Sequence, residues 1–122
     1  MKINKDTKLD EKSVFKLGSV IEYTYSYNAQ YPNFGIITKI TPKSVWFKRI
    51  PKKWVSHDGY GQNGLRVPDL DAYNEYGFDP NENEQGPFRI KKSAYDGKEF
   101  FKVSYNTFAY AWDGKPVNEY TD

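Results

Sequence analysis

Phe34-Gly-Ile-Ile-Thr-Lys-Ile-Thr41 and Ser44-Val-Trp-Phe-Lys-Arg-Ile50, separated only by Pro42 and Lys43, decide the fold of this chain. β-Branched and aromatic residues fill both arms and a proline stands at the break, so the stretch reads as a β-hairpin. Strand alternation predicts that Phe34, Ile36 and Ile40 share one face with Val45 and Phe47, leaving Lys39, Trp46 and Lys48 on the other. Pro51 ends the second arm because it has no N–H to give to a ladder.

Upstream, Ser19-Val-Ile-Glu-Tyr-Thr-Tyr-Ser-Tyr27 places Ile21, Tyr23, Tyr25 and Tyr27 in alternation with Glu22, Thr24 and Ser26, the two-residue period of a half-buried strand. Downstream, residues 52–86 lose that alternation to Gly59, Gly61, Gly64, Gly77, Gly86, Pro68, Pro80 and many acidic or amide residues. The segment reads as a long inserted loop between strands three and four. Leu70 and Tyr73 at helical spacing predict a helical turn within residues 69–76. Regular structure resumes in Pro87-Phe-Arg-Ile-Lys-Lys-Ser93 and returns through Asp96-Gly97 into Glu99-Phe-Phe-Lys-Val-Ser-Tyr105, a second hairpin. Thr107-Phe-Ala-Tyr-Ala-Trp112 reads as a short aromatic helical turn.

The expected fold is therefore all-β with minor α: a small, strongly bent sheet or SH3-like barrel of about five strands. Residues 1–17 read as a flexible N-terminal segment and residues 18–122 as a single β-domain carrying the insert 52–86. At 122 residues there is room for one small core.

Composition favours gripping over reacting. Eleven tyrosines, eight phenylalanines and three tryptophans accompany one histidine and no cysteine. Rings supply stiff contact surfaces, while proton shuttles, thiolates and soft metal ligands are nearly missing. His57 lies in Ser56-His57-Asp58, but three consecutive side chains diverge and cannot form a hydrolytic triad. Gly59-Tyr-Gly-Gln-Asn-Gly64 lacks the Gly-Lys-Ser/Thr ending of a phosphate loop, and the acidic run 79–84 lacks calcium-loop spacing. No catalytic residue, metal ligand or cofactor site is expected. The charged start and the lack of any run of about 20 apolar residues point to a soluble, intracellular protein without a membrane partner.

The net charge of +2 conceals a segregation. No acidic residue falls between Glu22 and Asp58, whereas Asp69, Asp71, Glu75, Asp79, Glu82 and Glu84 stand between Arg66 and Arg89 with no intervening cation. Either the acidic run neutralises the basic surface within the chain or the two meet different partners. The candidate partner-binding residues are Lys39, Trp46, Lys48, Arg49, Lys52, Lys53 and Trp54, which combine charges with flat rings on or beside one hairpin. The stripe Tyr23, Tyr25, Tyr27 and Tyr31 is read mainly as core and cross-strand packing.

Gly18-Ser-Val-Ile, the Thr41-Pro-Lys-Ser44-Val45 turn and Trp112-Asp-Gly-Lys-Pro116 together resemble a group of small, mostly uncharacterised bacteriophage proteins. Those proteins tend to carry Gly-Asp-Ile near the start, a Gln-Thr-Asn segment, a Thr-x-x-Ser-Val hairpin and a closing Trp-Asp-Gly-Lys-Pro. Here Ser19 replaces the Asp, and the middle segment reads Gln30-Tyr-Pro-Asn33. The resemblance covers nearly all of the chain after about residue 17 and implies a phage origin and a small β-fold, without an activity. From the residues, two functions are expected ahead of a third. The first is a non-catalytic accessory protein in the host cytoplasm that docks on and modulates a host protein, such as a defence or nucleic-acid-handling enzyme. The second is direct nucleic-acid binding through the basic aromatic hairpin; a small enzyme using His57 and carboxylates is a third.

Overall fold

A computed structural model describes residues 13–26, 29–57, 63–72 and 84–121. Among them, ten strands form: β1 (Val20–Ser26), β2 (Ala29–Ile40), β3 (Ser44–Ile50), β4 (Lys52–His57), β5 (Asn63–Pro68), β6 (Gln85–Arg89), β7 (Lys91–Lys92), β8 (Glu99–Ser104), β9 (Thr107–Ala111) and β10 (Val117–Thr121). The hydrogen-bonded order is β4-β5-β10-β2-β1-β9-β8-β7, with β3 branching from β2 and carrying β6 on its far edge. Every pairing is antiparallel.

The branch exists because β2 is 12 residues long. One of its edges pairs with β1, while the other takes β10 at Ala29 and Gln30 and β3 along residues 34–40. The path β6-β3-β2-β1-β9-β8 curls until β6 lies against β8, which gives a nearly closed, barrel-like antiparallel sheet. Phe88 and Phe101 stack across that seam with ring centroids 5.4 Å apart. β10, β5 and β4 form a wing that leaves the barrel from the first residues of β2.

The all-β, barrel-like expectation describes this chain, but with more strands than five. β4 and β5 occupy residues that read as loop, because lysines, Gly64 and Pro68 interrupt their apolar alternation; β4 pairs with β5, and β5 joins the sheet only through the distant β10. Helix is confined to residues 70–72 among those described, where the Ala72 N–H donates to Asp69 Oδ1 at 3.0 Å. Residues 73–76 of the expected turn lie outside the described residues.

Two further expectations are corrected. Thr107–Ala111 is a strand, not a helical turn. Ala109 and Ala111 pair with Tyr23 and Ile21 of β1, so small side chains on β9 face bulky ones on β1, and the outward positions are left to Phe108 and Tyr110. In the hairpin, Phe34 and Ile36 do not share a face with Val45 and Phe47; Ile37 and Ile40 do. An irregularity in the β2–β3 register between Ile37 and Lys39 adds one residue and restores the inward direction at Ile40.

Two cores result. Inside the barrel, Ile21, Tyr23, Ile37, Val45, Phe47, Phe101 and Ala109 are buried together. Phe47 lies at its centre, with centroids 5.3 Å from Tyr23, 5.5 Å from Phe88 and 5.8 Å from Phe101. Phe15 joins them, edge-on to Phe101 at 5.2 Å. Glu99 holds its segment in place by accepting the Val14 N–H at 2.7 Å and the Ser13 hydroxyl at 3.3 Å. Within residues 13–17, Phe15 is fully buried while Val14 and Leu17 are exposed, and residues 1–12 of the expected N-terminal segment lie outside the described residues. The second core, Phe34, Ile36 and Ile50 with Val20, Leu70, Trp112 and Val117, lies between the outer wall of β2–β3 and the wing. Trp112 closes it and is tied into its own turn, its indole N–H donating to the Lys115 carbonyl at 2.8 Å while Asp113 Oδ1 accepts the Lys115 N–H.

Gly35 makes the barrel interior possible. A Cβ there would lie 2.6 Å from Phe47 Cδ2 and 3.0 Å from the Lys48 carbonyl oxygen, and the packed Phe47 ring has nowhere to go. Gly35→Ala is expected to lower stability by about 1–3 kcal/mol through overpacking, read as a drop in the urea midpoint with an unchanged slope.

Candidate partner-binding site

Alternation sorts the seven residues proposed from the sequence onto different surfaces. Lys39 and Trp46 are register partners on the outside of the barrel, and the Lys39 ammonium sits 4.6 Å from the Trp46 ring centroid. Trp46 is half-buried, and its indole lies so close over Gly86 that a Cβ there would be 2.7 Å from Cδ1. One side of this ring is thereby taken by backbone and another by a cation. Lys48 is half-buried beside it, and Arg49 is exposed on the opposite face of β3.

Beyond Pro51 the chain turns to different work. Lys52 Nζ donates to the Pro32 carbonyl at 2.7 Å and to Glu119 Oε1 at 3.1 Å, and Arg66 Nε meets the same oxygen at 3.1 Å. The Arg66 guanidinium lies 3.6 Å from the centroid of the half-buried Trp54 ring. Lys52, Trp54, Arg66 and Glu119 therefore form one connected cluster within the wing. Burial would raise the Glu119 carboxyl, but the hydrogen bonds and charges of Arg66 and Lys52 outweigh it and hold it below the ordinary Glu value. Lys53 projects from the other side of β4 toward Asp71, 3.8 Å away across open solvent. Of the seven, the fold brings Lys39, Trp46 and Lys48 together outside the barrel and commits Lys52 and Trp54 to the wing's own packing.

The tyrosine stripe divides similarly. Tyr23 is core, Tyr25 and Tyr31 form an exposed cross-strand pair, and Tyr27 lies outside the described residues. Of His57 only the backbone is described, paired with Gly64 at the end of β4. Among the described residues no three His, Asp or Glu side chains converge as a metal site would require.

A different surface was missed. On the outer wall of β8 and β9, Phe100 meets Phe108 edge-on at 5.6 Å and Tyr110 at 6.2 Å. Phe108 is 41 % exposed, and the turns at the two ends of the wall carry Tyr95 and Tyr105, 98 % and 83 % exposed. Lys98 lies 5.1 Å from the Tyr110 centroid. Two open hollows indent this wall. The smaller, about 200 Å³, is lined by Ser93, Asp96, Phe100, Phe108 and Tyr110. The larger, about 290 Å³, is lined by Glu22, Tyr23, Thr24, Asn106, Phe108 and Tyr110. The sequence signal for the wall was the alternation of Thr107, Ala109 and Ala111 with Phe108 and Tyr110, which puts the large rings on the side away from the core.

Glu22 gives the wall its chemistry. It pairs in register with Phe34 of β2 on one side and Tyr110 of β9 on the other, and it shares the outward face of β1 with Val20. Flanked by rings, its Oε2 is buried without a hydrogen-bond partner among the described residues. Burial raises its pKa and the nearby charge of Asp113 raises it further, while Lys98 opposes both. A raised folded-state pKa means that the protein bears a cost for ionising Glu22 above that pKa, which is relieved as the pH falls toward the ordinary Glu value. Comparison of the chain with protein-family models, with curated proteins and with solved structures finds no match, so the geometry of the site carries the functional reading.

Proposed function

We propose that this chain is a non-catalytic accessory binding protein, of the phage kind its sequence resembles, that docks on a host protein through the aromatic wall of β8, β9 and β1. The observation that carries the reading is the outward placement of Phe100, Phe108 and Tyr110 on strands whose core-facing positions are filled by Thr107, Ala109, Ala111 and Phe101. Phe108 is exposed, and Phe100 and Tyr110 are half-buried around shallow hollows; such outward rings are the usual anchors of protein interfaces, where a few aromatic residues supply most of the binding energy. A nucleic-acid surface on the hairpin has weaker support, because Lys39 and Gly86 crowd the Trp46 ring that a base would stack on and Lys52 is bound to Glu119.

The test uses the tagged full chain on host-cell lysate. A protein retained by the parent is expected to be lost at least about tenfold by the pair Phe108→Ser and Tyr110→Ser, and to be kept by the pair Lys48→Ala and Arg49→Ala. Retention by the first pair and loss by the second would overturn the assignment of the wall. Salt-sensitive binding of an arbitrary oligonucleotide, abolished by Lys48→Ala and Arg49→Ala, would replace it with the nucleic-acid reading.

A further inference from the structure

The larger hollow on this wall is lined by Glu22, whose Oε2 is buried without a hydrogen-bond partner among the described residues. A carboxylate oxygen buried beside rings without a donor costs free energy, and such a group persists most readily where a ligand completes it. Glu22 Oε2 is in that position, and Glu22 lines a hollow of about 290 Å³ together with Phe108 and Tyr110. That volume is at the lower limit for a small-molecule site and suits one inserted side chain. The surrounding charge has a sign. Asp113 acts on Glu22 from the turn after β9, and Asp96 lines the adjoining hollow. The opposing cations are Lys98, which lies by the Tyr110 ring, and Lys102, the exposed register partner of Phe108 on β8, so three carboxylates face two ammonium groups.

We propose that the Glu22 hollow receives an arginine side chain of the docked protein, its guanidinium donating to the carboxylate while its plane lies against Phe108 or Tyr110. The proposal rests on the docking reading and specifies what that surface selects. Arginine fits better than other groups for three reasons. Its N–H fork matches a carboxylate, its flat cation is attracted to ring faces, and it relieves the electrostatic cost of an ionised Glu22. A nucleotide would bring phosphate toward Glu22, Asp113 and Asp96, and is disfavoured on charge.

The probe is the blocked tripeptide acetyl-Gly-Arg-Gly-amide, titrated into isotopically labelled full-length protein while the Phe108 and Tyr110 ring signals and the Glu22 carboxyl signal are followed by NMR. Saturable shifts are expected at millimolar peptide, with the Glu22 titration midpoint moving to lower pH when the site is full, since the bound cation favours the charged form. The peptide with citrulline in place of arginine should bind at least about tenfold more weakly, and so should the arginine peptide to Glu22→Gln. Glu22→Gln removes an ionisation cost rather than a core contact, so its melting temperature at neutral pH should equal or exceed the parent's, which separates lost binding from lost folding. Equal shifts with arginine and citrulline, an unmoved Glu22 midpoint, or undiminished binding by Glu22→Gln would overturn the proposal. Stronger shifts of the same rings by guanosine monophosphate would do so as well. If the peptide fails while Phe108→Ser and Tyr110→Ser still release the lysate partner, the docking surface stands and only its arginine preference falls.

Discussion

Phe47→Ala is expected to cost about 3–5 kcal/mol, a large part of the roughly 5–15 kcal/mol that holds a domain of this size together. The ring is fully buried and lies within 6 Å of three others, Tyr23 at 5.3 Å, Phe88 at 5.5 Å and Phe101 at 5.8 Å. Those neighbours come from β1, β6 and β8, on both sides of the barrel seam. Removing it leaves a void that strands hydrogen-bonded on their edges cannot close, so the cavity cost adds to the lost burial. Urea unfolding at neutral pH measures the effect, with Phe108→Ala as the comparison. Phe108 is 41 % exposed on the outer wall, and its truncation should cost less than half as much. Comparable losses at the two positions would mean that the barrel interior is not the main source of stability.

Glu119→Ala is expected to cost about 3 kcal/mol at neutral pH, because it strands two cations in a largely desolvated site. Lys52 Nζ and Arg66 Nε both lie 3.1 Å from Glu119 Oε1, and the two side chains retain only 26 % and 17 % of their exposure. The effect has a pH signature. A carboxyl held below its ordinary value contributes stability that is complete above the unfolded-state pKa, about 4.3, and is lost as the pH falls through the folded-state value. The gap between parent and Glu119→Ala should therefore narrow in acid, and thermal melts at neutral pH and below pH 4 would show it. A gap that stays constant would mean that Glu119 acts through packing rather than charge. Glu119→Gln separates the two further, since it keeps the shape and one acceptor but cannot balance two cations.

The first hairpin and the all-β character were legible because both depend on local chemistry, β-branched arms and Pro42 in the turn; of the second expected hairpin only Lys91 and Lys92 pair with β8 across the Asp96-Gly97 turn, because residues 85–89 pair with β3 instead. What escaped the sequence was settled by distant pairings. The inward set of β2 switches from Gly35 and Ile37 to Ile40 through one added residue, and nothing in residues 34–41 marks that addition. Thr107–Ala111 is rich in alanine and aromatic residues, which suits a helical turn as well as a strand, and pairing with Tyr23 and Ile21 decides the matter. Lys52 reads as one more surface cation until its register brings it beside Pro32 and Glu119, a residue 67 positions away. Glu22 was read as the polar member of an alternating strand, which it is. That its carboxylate would be enclosed between Phe34 and Tyr110 depends on which strands flank β1 on either side.

Ile36 and Ile37 are adjacent in β2 yet belong to different interiors, one beneath the wing and one inside the barrel. A change of size at position 36 can be compensated only by residues such as Leu70 or Val117, and a change at position 37 only by residues such as Phe101. Two neighbouring codons therefore answer to separate steric constraints. In a lineage of related chains, their substitutions should covary with separate sets of distant positions rather than with each other.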